Sequence, residues 1–437
     1  MKLNVFRGIE KVGSLDIHAN EPFYGFTYDS GYLSSQSAQP LSLSLPLAPS
    51  RYAGAETQPY FEGLLPEGEA RDAIARRLGI SRRSSVKLLR ALGHDCAGDI
   101  LVIDEDKNPP YDANLYHESS INMYSPLDGG ILKIAESPRE EILRLQEDMR
   151  LSLAGGQGKT ALYHDEVKNI VDGWYIPLPG LPTTHIVKPG LLEAHYPHIT
   201  LNEFLCIRAA FACGFRVVDV DLLYPKTPVL IIKRYDRLIS GGTINGLKAV
   251  RRIHQEDCCQ ACGVIPDQKY EHDGGPGFNL IRGLLVKHAR RPVEDITTLL
   301  KWGIFNYLIG NCDAHSKNLS LVHNMDGTVS LAPAYDLIST TIYDGRFGEK
   351  LSRNMGMRIG NHENIDKINT EDFTVFAHDV HVRPQHVVSI AKEIINKLPP
   401  AFNAAALAAN GKGFTAANDV ANRILSGCEK RIRVLSP

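Results

Sequence analysis

Gly310-Asn311-Cys312-Asp313-Ala314-His315-Ser316-Lys317-Asn318, followed by Leu331-Ala332-Pro333-Ala334-Tyr335-Asp336, decides how this chain reads. Asp313 comes first, Asn318 stands five residues on, and Asp336 closes the second piece. A carboxylate in a loop can accept a hydroxyl proton. Amide and carboxylate oxygens suit a hard cation such as magnesium, which keeps its remaining positions for water and phosphate. Ile296 to Leu308 is apolar at helical spacing and predicts a helix running into the stretch. Leu319 to His323 and Thr328 to Leu331 read as strands, with Asn324-Met325-Asp326-Gly327 as their turn. A helix, a loop and a hairpin carrying a second Asp form the layout that phosphoryl transfer needs. Alone, D-x-x-x-x-N also fits ordinary loop and cap residues, so the rest of the chain must decide.

The chain has 437 residues, enough for two or three domains. At 43% hydrophobic and 22% charged it is globular in composition. A net charge of −2 means that nucleic-acid contact needs a local basic patch. Met1-Lys2-Leu3-Asn4-Val5 alternates like a strand and lacks the apolar run of a signal peptide. No apolar run approaches the roughly 18 residues that span a bilayer, so no membrane partner is expected. Eight cysteines without a secretion signal imply reduced thiols and a cytoplasmic location.

Leu3 to Phe6, Lys11 to Ile17 and Phe23 to Tyr28 read as strands. Pro40 to Pro46 alternates cleanly and predicts another. Helices are expected at 67–78, 81–92 and 136–149, with a strand at 100–103 and a linker or long loop over 106–130. Further strands are predicted at 161–164, 174–176, 184–188, 217–224 and 229–236, and a helix at 201–213. From about Arg251 the pattern turns helical, at 255–262, 278–288, 296–308, 385–398 and 416–433, interrupted only by the hairpin after Asn318.

Gly155-Gly156-Gln157-Gly158-Lys159-Thr160 invites a phosphate-loop reading, but Leu153 stands where the Walker pattern needs glycine. A run of small residues still lets backbone N–H groups approach phosphate oxygens, with Lys159 adding charge. A tight hairpin is the equal alternative. Lys188 ends an apolar strand, as a kinase presents its phosphate-binding lysine; Glu203, on the next helix, either pairs with it or caps that helix. Lys233-Arg234-Tyr235-Asp236 closes the most apolar strand, where a kinase places its hinge. Its backbone would read adenine, with Asp236 near the ribose; the plain alternative is a strand leaving the core. Gln255-Glu256-Asp257 is expected to begin a helix, with carboxylates toward the catalytic cleft. Cys259-Gln260-Ala261-Cys262 lacks the second C-x-x-C that zinc sites use, so buried thiols are the plainer reading. The order glycine loop, strand lysine, D-x-x-x-x-N and later Asp is that of a kinase. G-x-S-x-G and H-E-x-x-H do not occur, which disfavours serine hydrolases and zincins.

These residues together resemble the HipA family of serine/threonine kinase toxins. The resemblance rests on Gln39 to Leu47, Leu64-Leu65-Pro66, Ser152 to Gln157 with Lys159-Thr160, and Thr183 to Lys188. It continues through Asn202-Glu203, Arg234 to Arg237, Gln255 to Asp257, Lys269-Tyr270-Glu271, Asp273 to Gly277, Asp313 to Asn318 and Tyr335-Asp336. It implies Asp313 as catalytic base and Asn318 and Asp336 as magnesium (Mg2+) ligands. ATP would contact Ala154, Gly155, Gly156, Gln157, Gly158, Lys159 and Lys188, with Lys233, Arg234, Tyr235 and Asp236 at the hinge. His315, Ser316, Lys317, Asn318, Tyr335 and Asp336 would complete the nucleotide site. Ser152 would be an inhibitory autophosphorylation site, its phosphate ejecting the loop. The implied protein substrate is an aminoacyl-tRNA synthetase, typically the glutamyl enzyme. The implied partner is a HipB-like helix-turn-helix antitoxin dimer that binds operator DNA. Gly158 and Lys233 depart from expected acidic residues. A stretch that is lysine-rich in some relatives corresponds here to Gly356 to Asn364, with one basic residue, so DNA contact is expected mainly through the antitoxin.

The resulting expectation is an α+β, bilobal, protein-kinase-like fold. It comprises a β-rich N-terminal subdomain (1–130), an ATP-binding lobe (131–250) and a helical catalytic lobe (251–437). The function implied is a toxin of a type II toxin–antitoxin system that phosphorylates a protein serine and co-represses with its antitoxin. The alternatives are a catalytically weak co-repressor scaffold bound to antitoxin and DNA, and a small-molecule kinase of the same fold.

Overall fold

The computed structural model describes residues 2–18, 21, 23–107, 109, 123–156, 158–343 and 351–435. The chain divides into two compact units, Met1–Leu191 with Ile232–Pro266, and Leu192–Ile231 with Asp267–Pro437. Both mix helices and strands.

In the first unit an antiparallel sheet runs in the order Gly25–Tyr28, Glu10–Asp16, Lys2–Arg7, Ile100–Asp104. Strand alternation sends Leu3 and Val5 to one face and Phe6 to the other, where it meets Leu101 and Ile103. The larger face packs Leu3, Val5, Val12, Leu15 and Phe26 against Tyr60 and Phe61 of helix Gly54–Gly63. Each such side chain contributes about 1.5–3 kcal/mol on burial.

The alternating run Pro40 to Pro46 is not a strand. Leu45 N–H donates to the Ser42 carbonyl at 3.0 Å, closing a tight turn. Leu41 and Leu45 are buried, while Leu43 N–H and Ser42 Oγ donate to the Glu256 carboxylate and Ser44 Oγ to the Gln260 carbonyl. The period of two therefore records apolar anchors alternating with serines that grip another segment. Gln255–Asp257 is likewise a strand, and the helix is only Cys258–Cys262, capped by Asp257. The Glu256 carboxylate serves the Ser42 turn rather than the catalytic cleft expected for it.

The first unit's second sheet has neighbouring antiparallel strands Tyr124–Pro126, Trp174–Pro177, Thr160–His164 and His185–Pro189. Helices Gly130–Glu136 and Pro138–Met149 precede Thr160–His164; the first of them was unforeseen and begins where the expected linker over 106–130 ends. A further unforeseen hairpin, Arg237–Ile244 with Leu247–Arg252, turns at Asn245-Gly246 with φ of 48° and 81°. Two successive positive φ values favour Asn-Gly at such a turn.

The second unit holds helices Ile199–Ala212, Phe278–His288, Pro292–Ile309, Thr370–Asp379, Pro384–Asn410 and Ala417–Leu435. Thr370–Asp379 was not anticipated, nor was the hairpin Asn354–Ile359 with His362–Asn364. The helix expected over 385–398 continues through Pro399 and Pro400 to Asn410. Interior proline costs about 3 kcal/mol. Buried Leu398, Ala401, Phe402 and Ala405 offset that cost along one face.

Candidate active site

Helix Pro292–Ile309 starts with proline in its first turn and Glu294 and Asp295 beside its positive end. It stops at Gly310, whose φ of 76° suits glycine, and an added Cβ there would strike Thr341 and Arg431. The chain then bends back on itself. Asn311 Nδ2 donates to Asn306 Oδ1 at 2.8 Å, Asp313 N–H to Asn311 Oδ1 at 3.1 Å, and His315 N–H to the Asp313 carbonyl at 2.9 Å. Asn318 Nδ2 donates to that same carbonyl at 3.0 Å, closing a ring from Asp313 to Asn318.

Inside this frame Asn318, Lys317, Ser316 and His315 are buried, while the Asp313 side chain is 51% exposed. A rigid loop with one exposed carboxylate suits a proton acceptor that must meet an outside hydroxyl. The Tyr335 hydroxyl donates to the Lys317 carbonyl at 2.8 Å, and Tyr335 and Ser320 share a further hydrogen bond at 2.6 Å. Ala334 N–H donates to the Arg216 carbonyl at 2.8 Å. The segment bearing Asp336 is therefore bonded beside the segment bearing Asn318. Asp336 has a φ of 50°, a left-handed conformation that costs a non-glycine residue free energy and concentrates at functional sites. Asn318's amide oxygen and Asp336's carboxylate are the hard donors a magnesium ion takes, so the residues fit that ion.

In the first unit, the glycine loop is laid along Leu64 to Gly68. Ser152 is fully buried; its hydroxyl donates to the Leu64 carbonyl at 2.6 Å and its N–H to the Asp95 carbonyl at 3.2 Å. Glu67 N–H donates to the Gly155 carbonyl at 3.1 Å, and Gly155 has a φ of 105°. Gln146 Nε2 donates to the Lys159 carbonyl at 2.8 Å. Ala154 and Gly158 are half-buried, and Gly156 is exposed; Gln157 lies outside the described residues. A Cβ at Gly158 would collide with Leu191, so an acidic residue does not fit there without a shift. Lys188 is 4% exposed on strand His185–Pro189.

The hinge segment carries a feature that sequence reading missed. Arg234 pairs with Asp236 at 2.8 Å and Asp95 at 3.4 Å; Arg237 pairs with Asp95 and Asp236, each at 2.9 Å; Arg252 reaches Asp95 at 2.8 Å. All five side chains are nearly inaccessible. Burial alone would raise the Asp95 carboxyl, but Arg237, Arg252 and Arg234 outweigh it and hold the group below the usual carboxylate range. Asp236, expected near a ribose, instead closes this network and accepts from Gly98 N–H at 2.8 Å. Arg234 is spent structurally, while its N–H donates to the Thr184 carbonyl at 2.9 Å. Lys233 pairs with Glu166 at 2.5 Å, and Tyr235 donates to Gln255 Oε1 at 2.6 Å. Asp95 follows the helix at 85–92 with no local motif, so only its three-dimensional partners reveal it.

Tyr270 was also missed as a site residue: its hydroxyl donates to Asp313 Oδ1 at 2.6 Å. Its only sequence signal was membership of Lys269-Tyr270-Glu271. Among the described residues no cluster of three His, Cys, Asp or Glu side chains forms a metal site, and Cys258 and Cys259 are buried thiols.

Residues 151–402 match the HipA-like C-terminal domain, and residues 3–103 match the HipA N-terminal domain. The chain belongs to the HipA family. It is 38% identical over 365 residues to the putative kinase Y4mE of Sinorhizobium fredii, covering 82% of this chain and 81% of that protein. The serine/threonine-protein kinase toxin HipA of Shewanella oneidensis is 27% identical over 416 residues, covering 92% of this chain and 88% of the toxin. A solved complex of the Shewanella oneidensis HipA and HipB with their operator DNA contains a chain that superposes with a TM-score of 0.78. That match is at 25% identity and covers 99% of this chain and 98% of that one. The α+β, HipA-like fold expected from sequence is the one observed. No helix among the described residues is long and apolar enough to cross a membrane.

Proposed function

We propose that this HipA-family chain is an ATP- and magnesium-dependent protein serine kinase and the toxin of a type II toxin–antitoxin pair. The observation that carries the reading is the Tyr335–Lys317 bond, which holds Asp336 beside the Asp313–Asn318 loop. Asp313 accepts the proton of a serine hydroxyl as that oxygen bonds to the γ-phosphorus of ATP. The bond from that phosphorus to the β–γ bridging oxygen breaks, and ADP leaves with the electron pair. Asn318 and Asp336 hold magnesium, which when bound neutralises phosphate charge. Lys188, Lys159 and the backbone of Ala154 to Gly158 take phosphate oxygens, and Lys233 to Tyr235 offer main-chain atoms to adenine. His315, Ser316 and Lys317 are the nucleotide contacts proposed for the second unit.

Ser152 is the self-phosphorylation site. A phosphate there adds close to two negative charges where the hydroxyl now donates to a buried carbonyl, so the loop must leave and ATP binding is lost. The protein substrate is an aminoacyl-tRNA synthetase, the glutamyl enzyme first. The partner is a HipB-like antitoxin dimer that brings the chain to operator DNA and makes it a co-repressor. The kinship with a named kinase toxin, and with a HipA solved together with HipB and DNA, supports this reading.

Incubating the purified chain with magnesium, ATP and glutamyl-tRNA synthetase tests it. One phosphoserine on the synthetase is expected. An unmodified synthetase, from a chain that does phosphorylate itself, would remove the substrate assignment and leave the kinase.

A further inference from the structure

We infer that Tyr270 is a positioning residue for Asp313, fixing the direction of its carboxylate through the phenol. This rests on the reading of Asp313 as proton acceptor. The hydrogen bond is 2.6 Å long, in the range of charge-assisted O–H···O⁻ contacts. It sits in an exposed position, where one hydrogen bond adds little to fold stability. An exposed Asp on a loop samples several rotamers unless a partner selects one. Phosphoryl transfer is sensitive to about 1 Å of misplacement, so a donor that selects the rotamer acts on rate.

The phenol is itself held from several sides. Gly275 N–H donates to the Tyr270 carbonyl at 2.9 Å, and a Cβ at Gly275 would crowd the carbonyls of Gln268, Lys269 and Tyr270. Only glycine closes that turn without a shift. Ser316 Oγ donates to the Lys269 carbonyl at 3.0 Å, tying the turn to the catalytic loop. The Tyr270 ring meets His315 edge-on at 5.1 Å and stacks on His272 at 5.5 Å. Glu271 accepts from Arg358 N–H at 2.6 Å, so the hairpin Asn354–Ile359 with His362–Asn364 fastens the same turn. Gly356 of that hairpin backs onto Ala314 and His315 without room for a Cβ. Three separated segments thus converge on the placement of one hydroxyl against one carboxylate.

The test is Tyr270→Phe in the full chain, which removes the oxygen and keeps the ring. The rate of phosphate incorporation from magnesium-ATP into the chain itself is measured against ATP concentration, beside the melting temperature. The expected result is a rate fall on the order of tenfold at saturating ATP, with half-saturation and melting temperature nearly unchanged. An unchanged or faster rate overturns the inference. So does a larger loss from Glu271→Gln than from Tyr270→Phe, because the turn and not the phenol would then matter. A wild-type chain that carries no phosphate beforehand and incorporates none removes the kinase reading and this inference with it, an outcome distinct from an active wild type with an equally active variant.

Discussion

Asn318 and Asp313 are joined through the main chain: the Asn318 side-chain NH2 donates to the Asp313 carbonyl at 3.0 Å. One residue thereby shapes the loop and, in the proposed reading, offers its amide oxygen to a cation. Asn318→Ala is expected to cost about 1 kcal/mol of stability and to remove the rise in melting temperature that magnesium-ATP gives the wild type. Thermal denaturation with and without magnesium-ATP measures both effects. A variant that is still stabilised by magnesium-ATP would contradict the role.

Asp95 is the shared acceptor of Arg234, Arg237 and Arg252. Asp95→Ala leaves buried guanidinium groups short of a partner and is expected to cost about 3–5 kcal/mol in urea denaturation. The pH dependence follows from the depressed Asp95 carboxyl. Its folded value lies below its unfolded one, so its contribution is complete above the ordinary carboxylate range. That contribution is lost as pH falls from there toward the folded value. Denaturation midpoints should therefore drop more steeply below about pH 4 in the wild type than in the variant.

What the sequence revealed was mostly local. The helix into the Asp313 loop and the hairpin after it are set by periodicity and turn residues. What stayed hidden was non-local. Pro40 to Pro46 alternates because its serines grip Glu256 and Gln260, residues more than 200 positions away. Asp236 carried a plausible ribose role until Asp95, Arg237 and Arg252 were seen around it. Tyr270 reaches Asp313 across 43 residues, beyond any spacing rule.

Ser152 tests the loop's dependence on a buried hydroxyl. Ser152→Glu places a charge where no water reaches, and the segment 151–159 should open. Limited proteolysis is expected to cut there faster than in the wild type, with ATP affinity lost. Ser152→Ala should leave the loop seated and phosphorylation of other proteins intact, while abolishing self-modification. Equal cleavage of Ser152→Glu and wild type would count against the switch.

Gly310 tests the helix stop that aims the loop. Its φ is 76°, and Arg431, which donates to the Leu308 carbonyl at 2.9 Å, fills the space a side chain would need. Gly310→Ala is expected to destabilise the chain by more than about 1 kcal/mol and to lower phosphate transfer further than stability alone explains. Chemical denaturation and initial rates on the same preparation separate the two.

The most direct measurement is the intact mass of the purified chain before and after magnesium and ATP, with Asp313→Asn treated alongside. The account predicts a gain of one phosphate, mapped to Ser152 and absent from a variant that still folds. No gain in a wild-type chain that carried no phosphate beforehand, or an equal gain in Asp313→Asn, would contradict it.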